Sequence, residues 1–144
     1  MVVRDLDEAL DVVRREGHRV TASRRLVLEA LLSADAPVSA EEIATGLDGR
    51  LPSSDLASVY RNLETLGDLG LVRHIHAGHG PGRYLLAGEQ DREYLACESC
   101  GRLEAVEADA LADVRAAIRE LSGFEARFSH FPIVGRCRDC ARGG

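Results

Sequence analysis

Residues 53–76 read SSDLASVYRNLETLGDLGLVRHIH, and the change of period inside this stretch decides the fold. Leu56, Val59, Leu63, Leu66 and Leu69 recur every three or four residues, the spacing that puts apolar side chains on one face of a helix. Ser53 or Ser54 is placed to cap that helix, and Gly70 to stop it. Beyond Gly70 the pattern turns strand-like. Leu71–His76 and Arg83–Leu86 read as two strands joined by the glycine-rich turn at 78–82, a hairpin.

Working back from there, three more helices precede the long one. Leu6, Ala9, Leu10 and Val13 give an amphipathic helix over Asp5–Arg15 that stops at Gly17. Thr21 is placed to cap a second, with Leu26, Val27, Ala30 and Leu31 as its buried stripe before Ala36-Pro37. Ser39-x-x-Glu42 has the form of a capping box and opens a third, with Ile43 and Leu47 facing inward and Gly49 and Pro52 ending it. Helices in close succession followed by a hairpin make a winged helix-turn-helix, which lays one helix in the major groove of DNA and the hairpin along the backbone.

Two groups of side chains suit that use. Arg14, Arg15, Arg19, Arg24 and Arg25 cluster with only Glu16 among them. On the long helix, Ser54, Ser58, Tyr60, Arg61 and Asn62 lie off the apolar stripe and are expected to reach phosphates and base edges. The net charge of −6 excludes a protein that coats nucleic acid indiscriminately, so the local cluster carries the argument.

Working forward, Ala87–Gln90 reads as a hinge into a second, smaller unit. Asp109 or a neighbour is placed to cap a helix bearing Leu111, Val114, Ala117, Ile118 and Leu121, ended by Ser122-Gly123; Phe124–Gly135 then reads as strand. At 144 residues, with 45% apolar and 29% charged, the chain is one ordinary domain or two very small ones, and a large multidomain enzyme is excluded. No apolar run approaches the roughly 20 residues that span a bilayer. Asp5, Asp7 and Glu8 stand where a signal peptide would be basic and then apolar, so a cytoplasmic protein without membrane contact is expected.

The four cysteines fall as Cys97-x-x-Cys100 and Cys137-x-x-Cys140, with residues 101–136 between the pairs. Each short loop brings two sulfurs to one side of a turn, so the two pairs together suit a closed tetrahedral Zn²⁺ site of structural use; a redox dithiol is the competing reading. His74 and His76, two apart in a strand, project from one face about 7 Å apart at Cα, and His130 is placed to close a second metal site, with His79 as a further candidate ligand. No acid is placed by spacing as a general base beside these histidines, so an enzyme is not expected.

Read together, Gly17-His18-Arg19-Val20-Thr21-Ala22-Ser23-Arg24, Ala57-Ser58-Val59-Tyr60-Arg61-Asn62-Leu63, Gly70-Leu71-Val72, Cys97-x-x-Cys100-Gly101 and Gly135-x-Cys137-x-x-Cys140 resemble the ferric uptake regulator (Fur) family. The match runs in register from Leu6 to Ala141. The resemblance implies an α+β chain with a winged-helix DNA-binding domain at 1–87 and a small α/β dimerisation domain at 88–144 that holds a structural zinc. It implies a homodimeric, metal-responsive repressor of a double-stranded, palindromic operator. Tyr60 and Arg61 match the family's reading-helix pair, and Arg19 matches the basic residue that enters the minor groove.

Departures fall in the sensing site. Gln90-Asp91-Arg92-Glu93-Tyr94 stands in place of a histidine-rich run, Pro37 in place of a common histidine, and Leu85 in place of an acid. What survives, His74-x-His76 with His79 and His130, looks like the nickel-responsive branch. The expected mechanism is a second divalent metal, Zn²⁺, Ni²⁺ or Fe²⁺, held by His74, His76 and His130 and acting as corepressor. The alternative is a thiol-based redox regulator, in which oxidation of the four-cysteine zinc site releases DNA.

Overall fold

The computed structural model describes residues 3–76, 81–88, 92–128 and 132–143. They fall into two compact units, Met1–His74 with Gly82–Glu89, and Ile75–Pro81 with Gln90–Gly144.

In the first unit each helix begins where a side chain satisfies a free backbone amide. α1, Leu6–Arg15, starts at Asp5, whose carboxylate accepts from the Glu8 amide, and it buries Ala9, Leu10, Val12 and Val13. α2, Ala22–Ser33, starts at Thr21, which accepts from the Arg24 amide. α3, Ala40–Ala44, has the full capping box: Ser39 accepts from the Glu42 amide at 3.1 Å, and the Glu42 carboxylate accepts from the Ser39 amide at 3.1 Å. α4, Gly46–Gly49, is a single turn whose Leu47 and Asp48 take left-handed backbone angles, φ 52° and 60°. Its entry must be glycine, because a Cβ at Gly46 would lie 2.0 Å from the Leu51 carbonyl oxygen.

α5, Leu56–Asp68, is the long helix, and its cap differs from the sequence expectation. Asp55, rather than Ser53 or Ser54, accepts from the Ser58 amide at 3.0 Å. A carboxylate at a helix N-terminus also gains from the helix dipole. Ser54 is held one step earlier, its amide donating to the Ala44 carbonyl at 2.9 Å.

β2, Val72–Ile75, and β3, Arg83–Leu86, form the hairpin, and β1, Val38–Ser39, adds to the far edge of β3 with Val38 opposite Tyr84. β1 was not legible in the sequence; two residues carry no period. Leu10, Val27, Leu28, Ile43, Val59, Leu66 and Leu71 are essentially fully buried and weld α1, α2, α3 and α5 into one core.

The second unit is a three-stranded sheet in the order β5-β4-β6. β4, Glu93–Cys97, pairs antiparallel with β5, Leu103–Val106, and parallel with β6, Ile133–Gly135. A 3-10 turn, Ala108–Leu111, leads into α6, Ala112–Ser122, which ends on Gly123 at φ 73°. α7, Arg138–Arg142, follows.

Two expectations are corrected here. Asp109 caps nothing: it lies inside the 3-10 turn, and neither that turn nor α6 has a side-chain cap. The strand expected over Phe124–Gly135 is confined to Ile133–Gly135; 124–128 have no regular structure, and 129–131 lie outside the described residues. A strand needs a partner backbone, and β6 takes its register from only Leu95, Ala96 and Cys97 of β4. Among the described residues no helix is long and apolar enough to cross a membrane.

Candidate metal and DNA-binding sites

The end of β4 and the end of β6 deliver the cysteines. Cys97 is the last residue of β4 and pairs with Gly135 of β6, and the Glu98 amide donates to the Gly135 carbonyl at 2.8 Å, tying the two cysteine loops together. Gly101, at φ 77°, closes the first loop by donating its amide to the Cys97 carbonyl at 2.9 Å. Cys137 precedes α7 and Cys140 lies within it, with the Ala141 amide donating to the Cys137 carbonyl at 2.9 Å.

The four sulfurs all lie within 4.8 Å of one another. Cys100 and Cys137 are 3.8 Å apart at sulfur. A disulfide would need about 2.05 Å. A tetrahedron with Zn–S bonds of about 2.3 Å has edges of about 3.8 Å, so the spacing fits zinc and excludes a bridge. Proton chemistry agrees. Backbone amides at Cys137 and Cys100 hydrogen-bond the Cys97 sulfur and hold its thiol down to about 6, whereas hydrogen bonds with the Cys137 and Cys97 sulfurs push Cys140 up to about 12. A dication bound there displaces the protons that the thiols hold. Cys97 is buried and Cys100 exposed, so the site has an inner and an outer face.

The histidines are placed differently. His74, on β2, stacks on Tyr84 of β3 with ring centroids 4.4 Å apart and planes 2° from parallel. Its Nε2 is buried, and a Cβ at Gly82 would lie 2.1 Å from it, so the hairpin backbone closes over that nitrogen. His76 follows β2 and is exposed. His79 and His130 lie outside the described residues.

On the DNA-binding unit, Arg19, Tyr60 and Arg61 are exposed. Tyr60 donates its hydroxyl to Glu41 Oε1 of α3 at 3.0 Å, and that bond raises its pKa. Ser58 is half-buried; Ser54 has a buried Oγ. Asn62, expected to face DNA, is instead only 5% exposed. Its amide donates to Ser23 Oγ at 3.2 Å and to the Ser58 carbonyl at 3.0 Å, and its Oδ1 accepts from Arg24 Nε at 3.2 Å. The helical period put Asn62 beside Leu63 at the margin of the apolar stripe, and a polar residue at that margin is open to either reading. Arg24 also donates to the Arg19 carbonyl, at 2.6 Å. Of the remaining cluster, Arg14 pairs with Asp11 and Arg25 with Glu29.

Two acids were missed by sequence reasoning. Glu41 carries no signal beyond its place in a capped first turn. Glu93, only 7% exposed at the head of β4, takes a 2.7 Å bond from Arg115 of α6, which also donates to the Ala108 carbonyl. In the sequence Glu93 was one polar letter in a polar run; only the sheet shows that it points inward.

A winged-helix unit carrying an exposed tyrosine and arginines, followed by a small sheet closed by four thiols, defines a DNA-binding transcription regulator with a zinc site. Residues 15–131 match the ferric uptake regulator family, and the chain belongs to that family of metal-responsive DNA-binding repressors, which are regulators and not enzymes. It is 29% identical to the peroxide operon regulator of Bacillus subtilis over 142 residues, 99% of this chain and 97% of that protein. It is 25% identical to the peroxide-responsive repressor PerR of Staphylococcus epidermidis over 97% of this chain and 93% of that protein. The fold is that of the Helicobacter pylori ferric uptake regulator Fur, with a TM-score of 0.74 at 16% identity, covering 98% of this chain and 97% of that one.

Proposed function

We propose that this chain is a peroxide-responsive repressor that binds a palindromic DNA operator as a homodimer, and that its zinc thiolates are the point of oxidation. The domains divide at 1–87 for DNA and 88–144 for dimerisation and zinc. Arg19, Tyr60 and Arg61 make the direct DNA contacts; Ser58 and Arg24 lie beside them. Cys97, Cys100, Cys137 and Cys140 hold the structural zinc.

One observation carries the reading: four thiols gathered within 4.8 Å, one of them at the surface, in a chain whose relatives at 25–29% identity are peroxide regulators. Peroxide oxidises the exposed Cys100 thiolate to a sulfenic acid with release of hydroxide, the Cys137 thiolate displaces a second hydroxide from it to form a disulfide, and each hydroxide takes a proton from solvent. Two thiolates lose two electrons, peroxide becomes two waters, and zinc loses two ligands. With the zinc gone the dimerisation unit loses its clamp, and the paired heads no longer span two successive grooves.

The experiment is a peroxide titration of operator affinity and of zinc release, followed by a thiol reductant plus zinc. Affinity and zinc are expected to fall together and to recover together. Unchanged affinity after full oxidation of Cys100 overturns the reading.

A regulatory divalent metal, Zn²⁺, Ni²⁺ or Fe²⁺, at His74, His76, His130 and His79 is the companion proposal, supported by the spacing of His74 on β2 and His76 just past its end. The nickel reading loses ground to peroxide, because the relatives named above are peroxide regulators. Changing His74 and His76 to Ala is expected to abolish any metal dependence of operator affinity.

A further inference from the structure

We infer that Asn62 is a positioning residue that fixes Arg19 through Arg24, so that the reading helix and the segment ahead of α2 meet the duplex as one piece. The inference rests on the proposed DNA-binding role of Arg19, Tyr60 and Arg61.

Asn62 projects from α5 into the protein, and every kind of hydrogen-bonding atom its amide has is in use. The NH₂ group donates to Ser23 Oγ and to the Ser58 carbonyl, and the carbonyl oxygen accepts from Arg24 Nε. Direct reading of a base edge requires an adenine to compete for the same donors and acceptor, at a side chain that is 5% exposed. Asn62 is thus poorly placed to touch DNA and well placed to hold something that does.

What it holds is Arg24. The guanidinium is a planar fork with several donors, able to span two acceptors in fixed geometry. One branch goes to Asn62, the other, from Nη1, to the carbonyl of Arg19 at 2.6 Å. The chain of contacts therefore runs from α5, across α2, to a residue that belongs to no helix or strand. Arg19 lies between Gly17, which takes φ 82° with nothing within 4 Å of an added Cβ, and the helix cap at Thr21. The segment is tied on either side of Arg19, by the His18 amide on the Val13 carbonyl and by Val20 against the core, and at Arg19 itself the brace from Arg24 sets where the side chain starts.

The consequence is a coupling between two DNA contacts. An exposed arginine outside any helix or strand loses conformational freedom when a groove captures it, and that loss subtracts from affinity. Bracing its backbone removes part of the loss beforehand. It also fixes the distance between Arg19 and the Tyr60-Arg61 pair, so that the contacts are made together in one register.

The test uses the full-length, zinc-loaded protein and a duplex selected by it from a random-sequence pool. Arg19→Ala is expected to weaken binding about 10-fold in the native background. In the Asn62→Ala background, or in Arg24→Gln, the same change is expected to cost about 2-fold or less. Arg61→Ala serves as control and costs the same in every background, because Arg61 stands on α5 itself. Equal costs of Arg19→Ala in all backgrounds overturn the inference. Arg24→Gln alters a half-buried surface residue and keeps the test alive if Asn62→Ala does not fold.

A second measurement needs no DNA. Backbone amide order parameters at His18, Arg19 and Val20 are expected to fall in both variants of the brace. Unchanged values overturn the inference, whereas a wild-type protein that selects no duplex overturns the DNA-binding reading instead.

Discussion

In the DNA-binding unit Leu28, Ile43, Leu66 and Leu71, from three helices and the bend ahead of β2, are 0% exposed and share one core, whereas in the second unit α6 buries no residue and Leu121 is 88% exposed. In the sheet of that second unit the buried residues are Glu93, Tyr94, Ala96 and Cys97, all on β4 and divided between its two faces. The first unit is held by apolar packing. The second has too little of it for a unit of its size, and small units of this kind rely on metals or partners. Its four thiols at zinc spacing and its bare helix face supply one of each.

The largest expected effect tests the metal half of that contrast. Removing zinc with a chelator, or changing Cys97→Ser, should unfold the second unit outright, since apparent zinc-binding energies of about 10–16 kcal/mol at such sites are folding energy. The first unit should keep its own transition. Hydrogen exchange resolved along the chain checks this: protection should vanish over 93–97 and 103–106 and persist at Leu28, Ile43 and Leu66. Protection lost from both units together would show that the contrast is false.

How much of this was legible in advance follows the same division. Where one element reports on itself, the sequence was sufficient: Asp5–Arg15, the Thr21 cap and the Ser39-x-x-Glu42 box depend on neighbours three or four residues away. The cysteine spacing was legible for the same reason, because each loop closes within four residues. What failed depended on distant partners. Asn62 turns inward because Ser23 and Arg24, nearly forty positions earlier, offer it hydrogen bonds. β6 stops short of the expected strand because its partner β4 offers it three positions. Asp55 rather than Ser54 is the cap because the helix starts at Leu56, while the Ser54 amide is bonded to the Ala44 carbonyl one residue before the cap position.

An intermediate effect concerns Glu93, the one charge buried among the described residues of the second unit. Arg115 bridges Glu93 of β4 and the Ala108 carbonyl, and so fastens α6 to the sheet in place of apolar contacts. Breaking a buried pair by removing one partner costs about 3–5 kcal/mol, because the other charge is left in a poor solvent. Arg115 is 26% exposed in its side chain, which screens the pair and lowers the expectation for Arg115→Ala to about 2 kcal/mol. Zinc-loaded protein should show the loss in the second transition alone. The double variant Arg115→Met with Glu93→Leu should recover most of it; no recovery would mean that the pair does more than fasten the helix.

The smallest effect on the folded protomer carries the sharpest information about its surface. Leu121 and Phe124 stand 88% and 68% exposed at the end of α6, and Val114 is 43% exposed a turn and more earlier on the same helix. An isolated exposed apolar residue means nothing, but two on one helix that buries none of its own residues, with a third just past its end, make a face awaiting cover. Leu121→Glu puts a charge where water already reaches, so protomer stability should move by no more than about 0.5 kcal/mol. If that face is the seam of the proposed homodimer, the same change buries an unpaired carboxylate in each copy, and sedimentation should show zinc-loaded monomers. Operator affinity should then fall steeply, since a lone head gives up the gain of linked binding to two half-sites. A stable dimer of Leu121→Glu would move the seam off α6 and leave the thin second unit to depend on its zinc alone.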